Sequence, residues 1–311
     1  MSLRVVSYGG GVQSTALLVL AARRVIDFPI FLMANVGDDS EHPATLAYVR
    51  DVAMPYAAAH GIEMHMLARI DRAGNNRSLL ADITRPGSKS MKIPVRMASG
   101  KPGSRACTVD YKLSVLAKWH KAHGASGGAS CPDHSAPAPC PRHQSPSKAK
   151  RCRLHPAEDC PACTQPNRAT VAVGISLDEI TRANLDKAQP HERLTYPLIG
   201  IGEETGLRMN RSDCARVIRE AGLAVPPKSS CFFCPWHRMT TWQDMARDEP
   251  ELFEKSCDLE DFMRERSEKA GRGPVWLTDY ATPLRRLIDT NQGLLPVDDE
   301  IGECDSGSCF L

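Results

Sequence analysis

The sequence predicts an α/β fold in which a parallel sheet carries helices on both faces. Three observations predict it. A β-rich run at 3–7 passes straight into three glycines and then an apolar helical stretch at 14–22. Two further short apolar runs, 30–35 and 62–67, follow at helix-length intervals. The same pattern resumes at 170–175 (Thr-Val-Ala-Val-Gly-Ile) after a long segment with no apolar periodicity.

Each element has a local reason. The run at 3–7 contains Val5 and Val6, and the helix after it ends in Arg23-Arg24, where basic side chains suit the helix dipole. The strand at 30–35 leads into the polar loop Gly37-Asp38-Asp39-Ser40-Glu41-His42, and Pro43 sits where proline favours a helix start. Alternation of this kind puts ligands in the crevice beyond the carboxyl ends of the strands. The chain divides into a first part of the core (1–124), an insertion (125–168), a second part of the core (169–240) and a helical C-terminal part with a tail (241–311).

The bulk numbers set the class. A chain of 311 residues with 42% hydrophobic content is long enough to bury a large core. No apolar run approaches the roughly 18 residues of a membrane span, so a soluble, cytoplasmic protein is expected. Net charge is only +2. The segment 125–168 nevertheless holds six basic residues (Arg142, Lys148, Lys150, Arg151, Arg153, Arg168) against three acidic ones (Asp133, Glu158, Asp159), a surplus that suits nucleic acid phosphates or a carrier protein. The twelve cysteines fall largely into C-x-x-C and C-x-x-H pairs, which speaks for metal in a reducing compartment rather than a disulfide scaffold.

Within the insertion the pairs are Cys131-x-x-His134, Cys140-x-x-His143, Cys152-x-x-His155 and Cys160-x-x-Cys163. Eight ligands are what two tetrahedral zinc ions require, and a segment with almost no apolar side chains folds only around metal. A structural knuckle and a contact surface for a larger partner are both open.

Between the first strand and helix, Gly9, Gly10 and Gly11 precede Val12-Gln13-Ser14-Thr15, and Ser7 closes the strand. Backbone N–H groups at such a helix start favour phosphate, and glycine permits close approach, although a ligand-free tight turn uses glycine too. The turn is neither G-x-x-x-x-G-K-[ST] nor G-x-G-x-x-G. Asp38 and Asp39, with Glu41, are placed to accept hydrogen bonds from ribose or adenine, to bind metal, or simply to cap the next helix.

This turn resembles the pyrophosphate loop of the PP-loop ATP pyrophosphatase superfamily, nearest the phosphoadenosine phosphosulfate (PAPS) reductase-like branch. Later stretches match in order: 37–43, Arg105-Ala106-Cys107-Thr108 with Lys112, Gly174 to Arg182, and Tyr196-Pro197-Leu198 through Cys231-x-x-Cys234-Pro235. Gly9 replaces the family's loop serine, Val12 and Gln13 replace its frequent lysine and aspartate, and Ser176 replaces its first arginine. The resemblance implies an adenine nucleotide α-hydrolase-like fold and a site for ATP or PAPS. It makes Gly174 and Glu179 binding residues, with Arg182 and Lys112 as anion contacts.

Cys107, Cys231 and Cys234 are then candidate ligands of a [4Fe–4S] cluster, with zinc as the competing metal and plain buried cysteines as the bland alternative. Glu303-Cys304 resembles the tail element whose thiol attacks a sulfonucleotide, with Cys309 as its resolving thiol; the tail is otherwise an incidental thiol pair. Two chemistries follow. One is adenylation followed by sulfur delivery to a nucleic acid or small-molecule acceptor, from a sulfur donor. The other is reduction of a sulfonucleotide by Cys304, with a thioredoxin-like partner. A non-catalytic nucleotide- or nucleic-acid-binding zinc protein is the rival from another class.

Overall fold

The computed structural model describes residues 3–88, 90–128 and 167–290. Its centre is a six-stranded sheet in the order β4-β3-β2-β1-β6-β7. The strands are β1 (Arg4–Ser7), β2 (Ile30–Asn35), β3 (Glu63–Ile70), β4 (Asn76–Arg77), β6 (Ala169–Val173) and β7 (Glu192–Thr195). All neighbours run parallel except the two-residue edge strand β4. The expected α/β class with a mostly parallel sheet is therefore present. β5 (Arg96–Met97) pairs antiparallel with β8 (Val275–Trp276) in a separate ribbon.

Side-chain alternation along these strands feeds two cores. Val6, Phe31, Met33 and Ala172 join one apolar cluster with helix α1 (Val12–Ala22) and helix α6 (Arg211–Glu220). Val5, Leu32, Ala34, Val171 and Val173 join the other, closed by Val115 and Leu116 of helix α5 (Ser114–Ala122). Helices thus cover both faces, which is why β1 and β2 read as continuous apolar runs. Helix α1 is buried from Val12 to Leu20, so it is apolar on nearly every side.

Pro43 opens helix α2 (Pro43–Tyr48), capped by the His42 ring, and the helix runs through a π-turn (Val49–Ala53) into α3 (Met54–Ala59). A third cluster gathers helices α4 (Leu79–Thr84), α7 (Met239–Asp248), α8 (Pro250–Lys269) and α9 (Leu284–Thr290) around Trp242, Phe232, Phe233 and Tyr111. This cluster joins residues near 79–111 to residues near 232–288, so the C-terminal helices pack onto the first part of the chain. Among the described residues no helix is long and apolar enough to cross a membrane.

The parallel order makes β1 and β6 neighbours although the chain between them visits β2 and β3. Strand order reverses there, and Ser7 pairs with Val173, so both loops leave the sheet side by side. Loops emerging at such a reversal form the crevice in which doubly wound sheets hold ligands.

Candidate functional site

The glycine turn is built for close approach. Gly10 sits at φ +76°, a left-handed conformation that L side chains avoid, and a Cβ there would lie 2.9 Å from Thr45 Cγ2. Gly11 is the N-cap of α1 and supplies no side-chain cap; the Ser14 hydroxyl donates to its carbonyl at 3.0 Å. From the neighbouring loop, Gly174 packs onto this first turn so tightly that a Cβ would stand 2.9 Å from the Ser14 nitrogen and 3.0 Å from the Gln13 carbonyl carbon. Only glycine fits between β6 and α1.

Ser7, Gln13 and Ser14 are buried, and two of their atoms, Ser7 Oγ and Gln13 Oε1, lack a protein hydrogen-bond partner. Gln13 Nε2 donates to Ser176 Oγ at 3.4 Å, which ties the two loops. Thr15 points elsewhere. Its hydroxyl pairs with that of Tyr8 at 3.0 Å and is fully buried, so it steadies the core under the turn. Burial pushes the Tyr8 phenol well above its ordinary value, the Thr15 hydrogen bond opposing weakly, and Tyr8 stays neutral.

After β2, Asn35 organises the acidic loop by accepting from the Gly37 nitrogen and donating to Asp38 at 2.6 Å. Asp38 is also paired with Arg50 at 2.5 Å, and these two hydrogen bonds, Arg50 first, hold its carboxyl below the usual range. Both oxygens of Asp39 accept hydroxyls, from Ser40 at 2.8 Å and Ser78 at 2.7 Å. These two aspartates are therefore engaged in shaping the loop. With the buried Glu41 they line a cavity of about 500 Å³ that extends to Phe232, Lys255 and Phe262.

Glu179 and Arg182 form the ion pair their spacing suggests, at 2.8 Å. The helix expected for them is a short 3₁₀ segment, Leu177–Arg182, whose backbone breaks at Glu179 (φ −125°, ψ 21°). Asp178 intervenes, accepting from Ser176 at 3.2 Å and from the Arg211 nitrogen at 2.5 Å, which pulls the segment onto the start of α6.

Cys107, Cys231 and Cys234 lie in one neighbourhood, although among the described residues they do not form a group whose ligand atoms all lie within 4.8 Å of one another. Cys107 opens a π-turn (Cys107–Leu113) that also carries the buried Lys112. Cys231 and Cys234 form a tight turn closed by the Cys234 nitrogen on the Cys231 carbonyl at 3.2 Å. Cys231 pairs with Glu41 through a backbone bridge, flanked by His42 N to Ser230 O at 3.0 Å. None of the three is in a disulfide and each residue is half-buried; Cys107 and Cys231 rest against the cluster of Phe232, Phe233 and Tyr111. Burial drives the Cys231 thiol well above its ordinary value; Glu41 adds to this and Lys112 opposes it, with Cys234 and Cys107 close enough to contribute. His237 stands under the turn, its Nε2 donating to the Cys231 carbonyl at 2.9 Å. Burial, aided by Lys228, lowers the ring's pKa to about 3, so it is neutral.

One residue joins cysteines to glycines. The Ser229 hydroxyl donates to the Gly9 carbonyl, and its Cβ lies 3.8 and 3.7 Å from where side chains of Gly10 and Gly11 would begin. Ser229 lies two residues before Cys231, so the segment that carries the cysteine turn also packs on the glycine turn.

No family model matches this chain, and no curated protein matches it. The cleft therefore has to be read from its own chemistry.

Sequence reasoning did not single out Ser229, His237 or Tyr111. Each acts through a tertiary contact, and only the position of Ser229 just before C-x-x-C offered a signal. The insertion ligands Cys131, His134, Cys140, His143, Cys152, His155, Cys160 and Cys163 lie outside the described residues, as does Cys304.

Proposed function

We propose that the protein is an adenine-nucleotide-dependent sulfur-transfer enzyme of the PAPS reductase-like PP-loop type, with the adenine nucleotide α-hydrolase-like version of the fold. One observation carries this reading: the segment bearing Cys231 and Cys234 packs through Ser229 directly on a side-chain-free glycine turn at the start of α1. In the proposed complex the N–H groups of Gly10, Gly11 and the first turn of α1 hold nucleotide phosphates. Gly174 keeps the β6 loop from obstructing them. Gln13 Oε1, buried without a protein partner, is a polar atom that a bound nucleotide or its ordered water would satisfy, whereas Ser7 borders the cavity under α5.

The cysteine group fits an iron–sulfur cluster on its own chemistry. In support, Cys107 and Cys231 pack on one apolar cluster with Phe232 and Phe233, Cys234 lies three residues on, and Lys112 is near enough to offset thiolate charge at Cys231. A cluster held by three protein thiolates supplies an iron able to bind sulfide. Around it, Lys112 and Arg182 bind and orient anionic groups. Zinc on the same thiols is the alternative metal, and the insertion adds the expectation of two further zinc ions and of a nucleic acid or small-molecule acceptor. Reduction of a sulfonucleotide is the second reading; Gly9, Val12 and Gln13 favour it, because they replace loop residues used when ATP itself is cleaved.

The deciding experiment uses full-length protein purified anaerobically. Iron and inorganic sulfide should co-purify, the iron should be lost in Cys231→Ala, and either ATP should yield pyrophosphate or PAPS should yield sulfite. Protein without iron that converts neither nucleotide overturns the proposal.

A further inference from the structure

On the sheet face under α5, away from the glycine turn, three potential ligand groups meet. His120 lies in the last turn of α5; His191 and Glu192 lie at the start of β7. His120 is 1% exposed and His191 4%. Each offers one ligand atom, and with a Glu192 oxygen these atoms all fall within 4.8 Å of one another. Glu192 Oε2 is 3.6 Å from His120 Nδ1 and 3.9 Å from His191 Nε2.

Those separations are too long for hydrogen bonds. Both ring nitrogens of His120, and Nε2 of His191, are buried without a hydrogen-bond partner. Stranding three ring nitrogens in an apolar core is unfavourable, because each has lost its water partners and gained none. A metal ion bound to one nitrogen of each ring satisfies two of the three. With metal–ligand bonds of about 2.0–2.2 Å, tetrahedral neighbours stand about 3.4 Å apart, so small ring rotations close this site.

We propose that His120, His191 and Glu192 bind a first-row divalent transition metal ion, with zinc the natural occupant and a fourth position facing a cavity. Two imidazoles and a carboxylate are the ligand types such ions favour over magnesium or calcium. The ligands are also oriented in advance. Glu192 Oε1 accepts the Gln189 nitrogen at 3.0 Å, which leaves Oε2 turned to the histidines. The backbone of His191 is held by the Ala169 nitrogen on its carbonyl at 3.0 Å, and that of His120 by the Ala125 nitrogen on its carbonyl, also at 3.0 Å. The cavity, about 240 Å³, is bounded by His120, Glu192, Lys187 and Gln189 and reaches Ser7 at the end of β1. It holds room for water or a small anion as the fourth ligand. The ion ties α5 to the β6–β7 edge, beside the point where the chain leaves at Gly128 and returns at Asn167. This inference does not depend on the sulfur-transfer reading.

Chelator-stripped full-length protein titrated with Co²⁺ tests it. Cobalt on thiolates gives intense sulfur-to-metal charge-transfer bands, whereas cobalt on histidine and carboxylate gives only weak ligand-field bands. The wild type should take up one equivalent with ligand-field bands and no accompanying charge transfer. Glu192→Gln and His191→Gln should weaken that equivalent by at least about 100-fold, the upper end of what loss of a mere supporting partner costs, while any thiolate bands persist. A wild type with no such equivalent overturns the proposal without recourse to variants. So do folded variants, by circular dichroism, that bind it as tightly as the wild type.

Discussion

At the residue scale, the feature with most leverage is a missing Cβ. Gly174→Ala would push a methyl to within 3 Å of backbone atoms of Gln13 and Ser14, and backbone cannot rotate away as a side-chain end does. The expected cost is about 1–3 kcal/mol in chemical denaturation. On the proposed function, nucleotide affinity measured by calorimetry should fall at least about 10-fold, because the displaced turn is the phosphate cradle. An unchanged affinity would separate Gly174 from nucleotide binding. The glycines themselves were legible in the sequence, as was Pro43 at a helix start, because both signals are local. The role of Gly174 was legible only through the family resemblance, since no spacing rule reveals what a distant strand packs against.

At the element scale, helix α6 shows how a short helix with a polar surface is held. Asn210 and Asp213 form a reciprocal capping box, each side chain satisfying the other's backbone nitrogen, at 2.9 and 3.1 Å. Cys214, Val217 and Ile218 face the core against α1. Asn210→Ala should lower stability by about 1 kcal/mol, read as a shifted denaturation midpoint with unchanged slope. The apolar strands β1, β2 and β6 could be read from sequence because both their faces are buried. β7 escaped that reading, since Glu-Arg-Leu-Thr is four residues long and half polar, and only pairing with β6 makes it a strand. The two-residue strands β4, β5 and β8 carry no periodicity at all. Similarly, the Glu179–Arg182 pair was foreseeable from spacing, while the 3₁₀ geometry imposed by Asp178 was not.

At the scale of the whole molecule, the C-terminal helices are stitched together by a buried carboxyl. Glu260, 1% exposed on α8, accepts the Leu277 and Leu284 nitrogens, both at 2.7 Å, and so joins three separate segments. Removing the acceptor in Glu260→Ala strands two buried donors and should cost about 2–5 kcal/mol, seen as a lowered melting temperature. The pH dependence has a definite sign. Burial raises this carboxyl above the ordinary range despite the two hydrogen bonds, so the folded state holds the proton more tightly than the unfolded chain. The contribution of Glu260 is therefore greatest at acid pH and declines as pH rises from the unfolded value of about 4.3. The stability of the wild type relative to Glu260→Gln should fall over that range, and a constant difference would show that the carboxyl does not titrate as argued. The proximity of Cys107 to Cys231 and Cys234 belongs to this scale too. Its two C-terminal thiols were visible as a motif, but the meeting of the segments depends on the shared apolar cluster around Tyr111 and Phe232.

The chain leaves the described core at Gly128 and re-enters at Asn167, and the two ends are pinned together. The Ser126 nitrogen bonds the Asn167 carbonyl at 2.8 Å, and the Asn167 side chain reaches the Gly124 carbonyl, also at 2.8 Å. An excursion whose exit and entrance are the same doorway leaves sheet register indifferent to its length. β6 keeps its partners β1 and β7 whatever the intervening residues do. Shortening or lengthening the stretch between Gly128 and Asn167 should therefore leave the pairing of β6 with β1 and β7 in place.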